Sequence, residues 1–282
     1  MAIFKEEKTV QEKKLKLFWR KHTDKLKEFL KTKKGKRVYV AVLISLGVVA
    51  AVSSTALIIK WMDYRSAQKG YEQLRELAPS EEDHPAIASD LSATDDDEEA
   101  VALEYESLEP SPELVNINAD YIGWVRISGT PVDYPVTQAN DNDKYMRTTF
   151  WGGSSVAGCI FMDYRCAGAF ESPIAMIYGH NMRDSSMFTS LHKYRDGAYF
   201  ANNPEVTVFT KDGGALSYRV FAAFVTETSE PVFGLYDADS AAIAAYFASH
   251  GAPEGATRFL VLSTCTGEEH ENERMLVFAA LQ

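Results

Sequence analysis

The stretch LVLSTCTGEEHENERMLVF, residues 260–278, sets two short apolar runs on either side of a strongly acidic loop. Runs of this length, rich in aliphatic residues and bounded by turn formers, read as two strands joined in a hairpin. In an antiparallel hairpin the strand ends next to the loop lie side by side. Cys265 closes the first run and Arg274 opens the second, so the hairpin makes them neighbours. A thiol beside a permanently charged guanidinium is a pairing that nucleophilic chemistry can use.

The same texture extends upstream to about Val115. IGWVRISG (122–129), VDYPVTQ (132–138), GCIFMDY (158–164), PIAMIYG (173–179), EVTVFTKDGG (205–214) and LSYRVFAAFVTET (216–228) are short strand-like runs separated by turn residues. With the two runs of the hairpin they make eight, which predicts a mainly β, antiparallel domain closed as a barrel so that no edge is left open. One helix is expected between the sixth and seventh strands, in YDADSAAIAAYFASHG (236–251), with Asp237 or Asp239 as N-cap and a glycine stop. The chain shows no internal repeat.

The N-terminal part is a different kind of sequence. Residues 1–37 carry 14 Lys and Arg against five Asp and Glu, a net charge of +9, which leaves −20 for the rest of a chain whose total is −11. Between the two parts lies VYVAVLISLGVVAAVSSTALII, Val38–Ile59, with no charge and with Arg37 and Lys60 at its flanks. At 1.5 Å per residue it would span about 33 Å, which matches a hydrocarbon core of roughly 30 Å. It reads as a transmembrane helix. A cleaved signal is disfavoured by the 37 residues before it. The positive-inside rule places residues 1–37 in the cytoplasm and the rest outside, giving a single-pass protein. Lysines next to a bilayer attract anionic head groups, so the arm, with Leu15, Leu17, Phe18, Leu26, Phe29 and Leu30 among its charges, reads as a membrane anchor and not as a nucleic-acid binder.

Residues 60–111 connect the two regions. WMDYRSAQKGYEQLRELA (61–78) has helix formers and no proline, which predicts a helix leaving the membrane. The acidic, proline-punctuated stretch that follows reads as a spacer, with a helical turn expected around Ala100–Tyr105. Its DDDEE run lacks the spaced ligands and glycine of a calcium loop. The remaining segment, 112–282, is the expected folded domain.

Three cysteines are too few for a disulfide framework. Cys159 and Cys166 are read as isolated cysteines, with a disulfide across a tight turn as the alternative. Cys265 needs a proton carrier, and six histidines are available. His22 lies in the cytoplasmic arm and His84 in the spacer. His192 in a charged turn, His250 at the helix end and His270 in the acidic loop read as solvated or structural. His180 remains, at the end of PIAMIYG with a glycine before it and Asn181 after it. Cys265, Arg274 and His180 at three strand ends form a candidate constellation.

IYGHNMRDSSMF (177–188), then LSTC (262–265), then an arginine opening the last strand resemble the sortases, membrane-anchored cysteine transpeptidases of Gram-positive bacteria. YGHNM with its downstream MF, GWVRISGTPVDYPVTQANDNDKYM (123–146), IFMDYR (160–165), the helix before the seventh strand and the anchor resemble class B in particular. The resemblance covers about residues 112–282 and implies a closed eight-stranded sortase-type β-barrel with a few helices. It implies that His180, Cys265 and Arg274 are the catalytic triad and that Asn142, Met146, Tyr178, Ser263 and Thr264 line a substrate groove, covered by residues from about Pro231 to His250. It further implies cleavage of a sorting motif of secreted proteins after its threonine, and acyl transfer to an amine of a lipid II-type cell-wall precursor; the alternatives with the same triad are a pilin-polymerising sortase, whose acceptor is a lysine of another protein, and a surface cysteine hydrolase, which releases to water. No cofactor and no metal are implied.

Overall fold

Each of the eight apolar runs forms a strand: β1 (Tyr121–Arg126), β2 (Asp133–Thr137), β3 (Ile160–Met162), β4 (Ile174–Tyr178), β5 (Glu205–Thr210), β6 (Ala215–Glu227), β7 (Phe259–Cys265) and β8 (Glu273–Leu281). They close into a barrel in the order β1-β2-β3-β4-β7-β8-β6-β5. The computed structural model describes residues 2–79, 112–267 and 272–282. Most of the acidic spacer, with His84 and the turn expected at 100–105, and the loop segment containing His270 lie outside the described residues.

The strands are not all antiparallel, as the sequence pattern suggested. β2 pairs parallel with β3, and β4 pairs parallel with β7. The reason lies in the connections: a two-residue turn can only reverse the chain, whereas parallel neighbours need a long crossover. Residues 138–159 supply the first crossover and residues 179–258 the second. β7 is buried along its length up to Cys265, because it lies between β4 and β8 inside the barrel wall and is covered on its outer face.

That cover is α5 (Ser240–Ser249), capped at its N-terminus by the Asp239 side chain, which accepts from Ala242 N–H at 2.7 Å. Gly251, at φ +90°, ends it as the sequence predicts. Phe247 stacks on Phe259 of β7 with ring centroids 4.0 Å apart and meets Phe278 of β8 edge-on at 5.1 Å. The helix thus buries the outward face of the strands that carry Cys265 and Arg274.

The described chain divides into two units, Met1–Met62 and Asp63–Gln282. The first holds α1 (Ala2–Lys31) and most of α2 (Lys33–Leu74). Among the described residues, the helical segment 33–77 is the one long and apolar enough to cross a membrane, and none of its apolar window is buried. The second unit holds the barrel, α3 (Pro112–Ile117), α4 (Gly197–Asn202), α5 and the end of α2.

That end of α2 packs against the barrel. Ala67, Tyr71 and Leu74 are buried, at the i, i+4, i+7 spacing of one helix face. The Tyr71 hydroxyl donates to the Gly158 carbonyl at 2.6 Å, and its ring meets Tyr134 edge-on at 5.6 Å. Gly70 lets the Trp151 ring lie close against the helix, since a Cβ there would sit 2.7 Å from that ring and push it aside. One turn on, Arg75 donates to the Asp133 carbonyl at 3.2 Å and lies over the Tyr134 ring.

Candidate active site

Cys265 and Arg274 are directly paired across β7 and β8. Thr266 N–H donates to the Glu273 carbonyl at 3.4 Å, so the ladder's hydrogen bonds pass through that neighbouring pair. Cys265–Arg274 is therefore a non-hydrogen-bonded pair, the type whose side chains approach more closely. Both residues are half-buried. Arg274 is steadied by its own strand, with Nη1 donating to the Glu273 carbonyl at 2.9 Å.

The same alternation turns the Cys265 carbonyl away from β8, toward the line of β4. β4 ends at Tyr178, level with Ser263, and leaves that carbonyl without a strand partner. His192 fills the place: its Nε2 donates to the Cys265 carbonyl at 3.0 Å. Asn181 makes a longer contact one residue on, from Nδ2 to the Thr266 carbonyl at 3.4 Å. Sequence reasoning left His192 as a solvated or structural residue in a charged turn. Its hydrophobic flanks Leu191 and Tyr194, both buried, were the available sign that this turn packs inward.

His180 follows β4 directly. A Cβ at Gly179 would lie 2.5 Å from Ile160 and 2.6 Å from the Phe188 ring, so only glycine lets the chain pass to His180 at this point. His180 Nε2 is 2.7 Å from the Met146 carbonyl and must donate to it, since a carbonyl only accepts. In this arrangement the β2–β3 crossover, which carries Met146, orients the imidazole.

These residues meet in one cleft of about 180 Å³. All eight residues singled out in the sequence line it: His180, Cys265, Arg274, Asn142, Met146, Tyr178, Ser263 and Thr264, together with Phe161 and Gly179. The hydroxyls of Ser263 and Thr264 are buried and have no hydrogen-bond partner among the described residues. No residue of 231–250 lines this cleft. The helical turn Pro231–Asp237 is tied to its wall through Tyr236, which bonds to Asp163, and α5 packs through Phe247 on Phe259 and Phe278, on the face of β7 and β8 that also carries Cys265 and Arg274. A second cavity, of about 260 Å³, lies where Tyr71 and Arg75 face Asp184–Met187, and it contains no cysteine or histidine.

Neither of the other two cysteines lines this cleft. Cys159 and Cys166 are free and buried, with no disulfide between them. Burial pushes the Cys159 thiol up to about 11 and the Cys166 thiol up to about 12, so neither supplies thiolate at neutral pH. Cys265 is the half-exposed one.

Comparison with known proteins agrees with this geometry. The family model described as the sortase domain matches residues 125–282. Sortase B of Listeria monocytogenes is 33% identical over 177 residues, which cover 58% of this chain and 71% of that protein. The structure of Clostridium perfringens sortase B superposes with a TM-score of 0.54 at 26% identity, covering 61% of this chain and 98% of that one. A Streptococcus pyogenes class B sortase involved in pilus biogenesis gives a TM-score of 0.53 at 26% identity, covering 61% and 97%.

Proposed function

Because the chain belongs to the sortase family of cysteine transpeptidases, whose members act on sorting-motif proteins and amine nucleophiles, we propose that it anchors secreted proteins to the cell wall with Cys265 as nucleophile, His180 as proton carrier and Arg274 as oxyanion partner. The observation that carries the reading is the direct pairing of Cys265 with Arg274 in the cleft that His180 also lines. The thiolate of Cys265 attacks the carbonyl carbon of the motif's threonine, and the carbonyl oxygen takes up the negative charge. Arg274 donates to that oxygen from a fork whose charge is permanent. Collapse of the adduct breaks the C–N bond, and His180 gives the departing amine its proton, leaving a thioester on Cys265. An amine of a lipid II-type precursor then attacks the thioester, His180 takes its proton, and the thiolate is released.

Asn142, Met146, Tyr178, Ser263 and Thr264 are proposed to hold the motif. The membrane assignment rests on the uncharged run Val38–Ile59 and the +9 arm before it, which support a single span with residues 1–37 inside and the enzyme outside. The pilus-associated relative favours a second reading in which the acceptor is a lysine of another protein. The two readings differ in the product, so the acceptor found joined to the threonine decides between them.

The test is to incubate the protein with a library of threonine-containing pentapeptides, quench in acid, and map the acyl group by mass spectrometry. A thioester on Cys265, discharged by added amine, is the expected result. If Cys265 reacts with an alkylating reagent yet no peptide acylates it, the transpeptidation site assigned here is wrong.

A further inference from the structure

Directly after β3, in the IFMDYR segment, stands Asp163, a carboxylate with no exposed surface. Its Oδ1 accepts from the Arg165 backbone N–H at 3.0 Å and from Arg165 Nε at 2.9 Å. Its Oδ2 accepts from Arg165 Nη2 at 2.7 Å, Tyr178 hydroxyl at 2.9 Å, Asn142 Nδ2 at 3.0 Å and Tyr236 hydroxyl at 3.0 Å. A carboxylate offers about four lone-pair sites, so these donors fill it. Two of them, Tyr178 and Asn142, line the catalytic cleft. Tyr236 belongs to the separate Pro231–Asp237 turn between β6 and α5.

Arg165 fastens that turn a second and a third time. Its guanidinium lies 4.0 Å from the Tyr236 ring centroid, and its Nη1 donates to the Phe233 carbonyl at 3.2 Å. Asn142 is held at both ends of its amide, because its Oδ1 also accepts from Tyr164 N–H at 3.1 Å. We propose that Asp163 is a positioning residue that determines specificity: it latches the 231–237 turn to the wall of the cleft and sets the spacing between Asn142 and Tyr178, and with it the width of the subsite for the sorting motif. The proposal rests on the transpeptidase reading for its substrate, but the latch itself does not.

Two physical points support a role in geometry. Buried ion pairs add little to stability compared with apolar side chains of the same volume, so stability alone is a poor reason to place a carboxylate here. What the carboxylate gives is a fixed point on which three separate chain segments converge. The latch also persists over the working pH range: burial raises the Asp163 pKa, yet hydrogen bonds from Arg165, Tyr178 and Asn142 outweigh it and hold the group at about 2.

The test uses the full chain in detergent, as wild type, Asp163→Asn and the milder Tyr236→Phe, which removes a single hydroxyl. Three quantities are read well below the thermal transition: the rate at which iodoacetamide alkylates Cys265, KM and kcat for a pentapeptide substrate, and amide hydrogen exchange across 231–237. In Tyr236→Phe we expect unchanged alkylation and kcat, KM raised about two- to tenfold, as one hydrogen bond's net contribution gives, and faster exchange in 231–237. Asp163→Asn should move KM and exchange further in the same direction, again with alkylation unchanged. Folded variants with wild-type KM and wild-type exchange overturn the proposal, as does a lowered transition temperature with KM unchanged. Exchange needs no substrate, so unaltered exchange in both variants rejects the latch even if wild type turns over no peptide.

Discussion

Removal of the Tyr71 hydroxyl tests whether the end of α2 belongs to the catalytic unit. That hydroxyl donates to the carbonyl of Gly158, a buried residue, at 2.6 Å. Tyr71→Phe keeps the ring and leaves the carbonyl without this donor, a loss that costs about 1–3 kcal/mol. Tyr71→Ala also removes the ring from its edge-on contact with Tyr134 and its tilted contact with Trp151, 5.5 Å away, and should cost about 3–5 kcal/mol. In a unit of this size each kcal/mol lowers the transition by roughly 2–4 °C. Scanning calorimetry of the 63–282 fragment should therefore show a fall of about 2–12 °C for Tyr71→Phe and about 6–20 °C for Tyr71→Ala. A fragment beginning at 112, the start of the domain expected from sequence, lacks the whole helix and should melt at least as low as Tyr71→Ala. The loss should reach the site as well, because Tyr134 accepts from Met187 N–H at 3.0 Å, and the adjacent Phe188 N–H donates to the His180 carbonyl at 3.0 Å. A 112–282 fragment that melts with 63–282 and turns over peptide equally well would refute the reasoning.

Two further outcomes follow from the cleft. Arg274→Lys keeps the charge opposite Cys265 but loses the planar fork, and steady-state transpeptidation should fall by about 10² to 10³ with the fold intact; near-wild-type turnover would reject Arg274 as the oxyanion partner. In the native protein at pH 8, iodoacetamide should add one label, on Cys265, and three after denaturation, because burial holds Cys159 and Cys166 as thiols; native labelling of either would contradict the packing described.

What could be read in the sequence depended on how local the cause was. The eight strands were legible because each is a short apolar run between turn residues, and the Cys265–Arg274 pairing was legible because a hairpin alone dictates it. The parallel pairings were not, since a strand's pattern reports which faces are buried and not which strand lies beside it. His180 came by elimination and by resemblance, for its place near Cys265 depends on β4 lying along β7 about 80 residues away. Ala67, Tyr71 and Leu74 lie in the helix expected over 61–78, but nothing in the sequence says that this face of it packs on the barrel. Asp163 carried none that a single sequence can reveal. A charged residue after a three-residue strand looks like the start of a turn, and its burial follows only when three other segments arrive.

The site is thus built from two kinds of structure with different mechanical properties. Cys265 and Arg274 stand on β7 and β8, whose ladder of paired residues and Phe247 cover fix them against the barrel wall. Met146, which orients His180, and Asn142 stand on the 22-residue crossover between β2 and β3. That crossover is held from one side by the end of α2, through Asp63 on Val156 N–H at 3.2 Å and Tyr71 on Gly158, and from the other by Asp163 on Asn142. Disturbance of the strand pair should therefore act on the chemical step. Disturbance of the crossover's two supports should act first on where the groove wall stands, which a thiol reagent too small to use the groove will not sense. The separation of small-reagent alkylation from peptide turnover is the experimental form of that division, and it assigns each support to one side or the other.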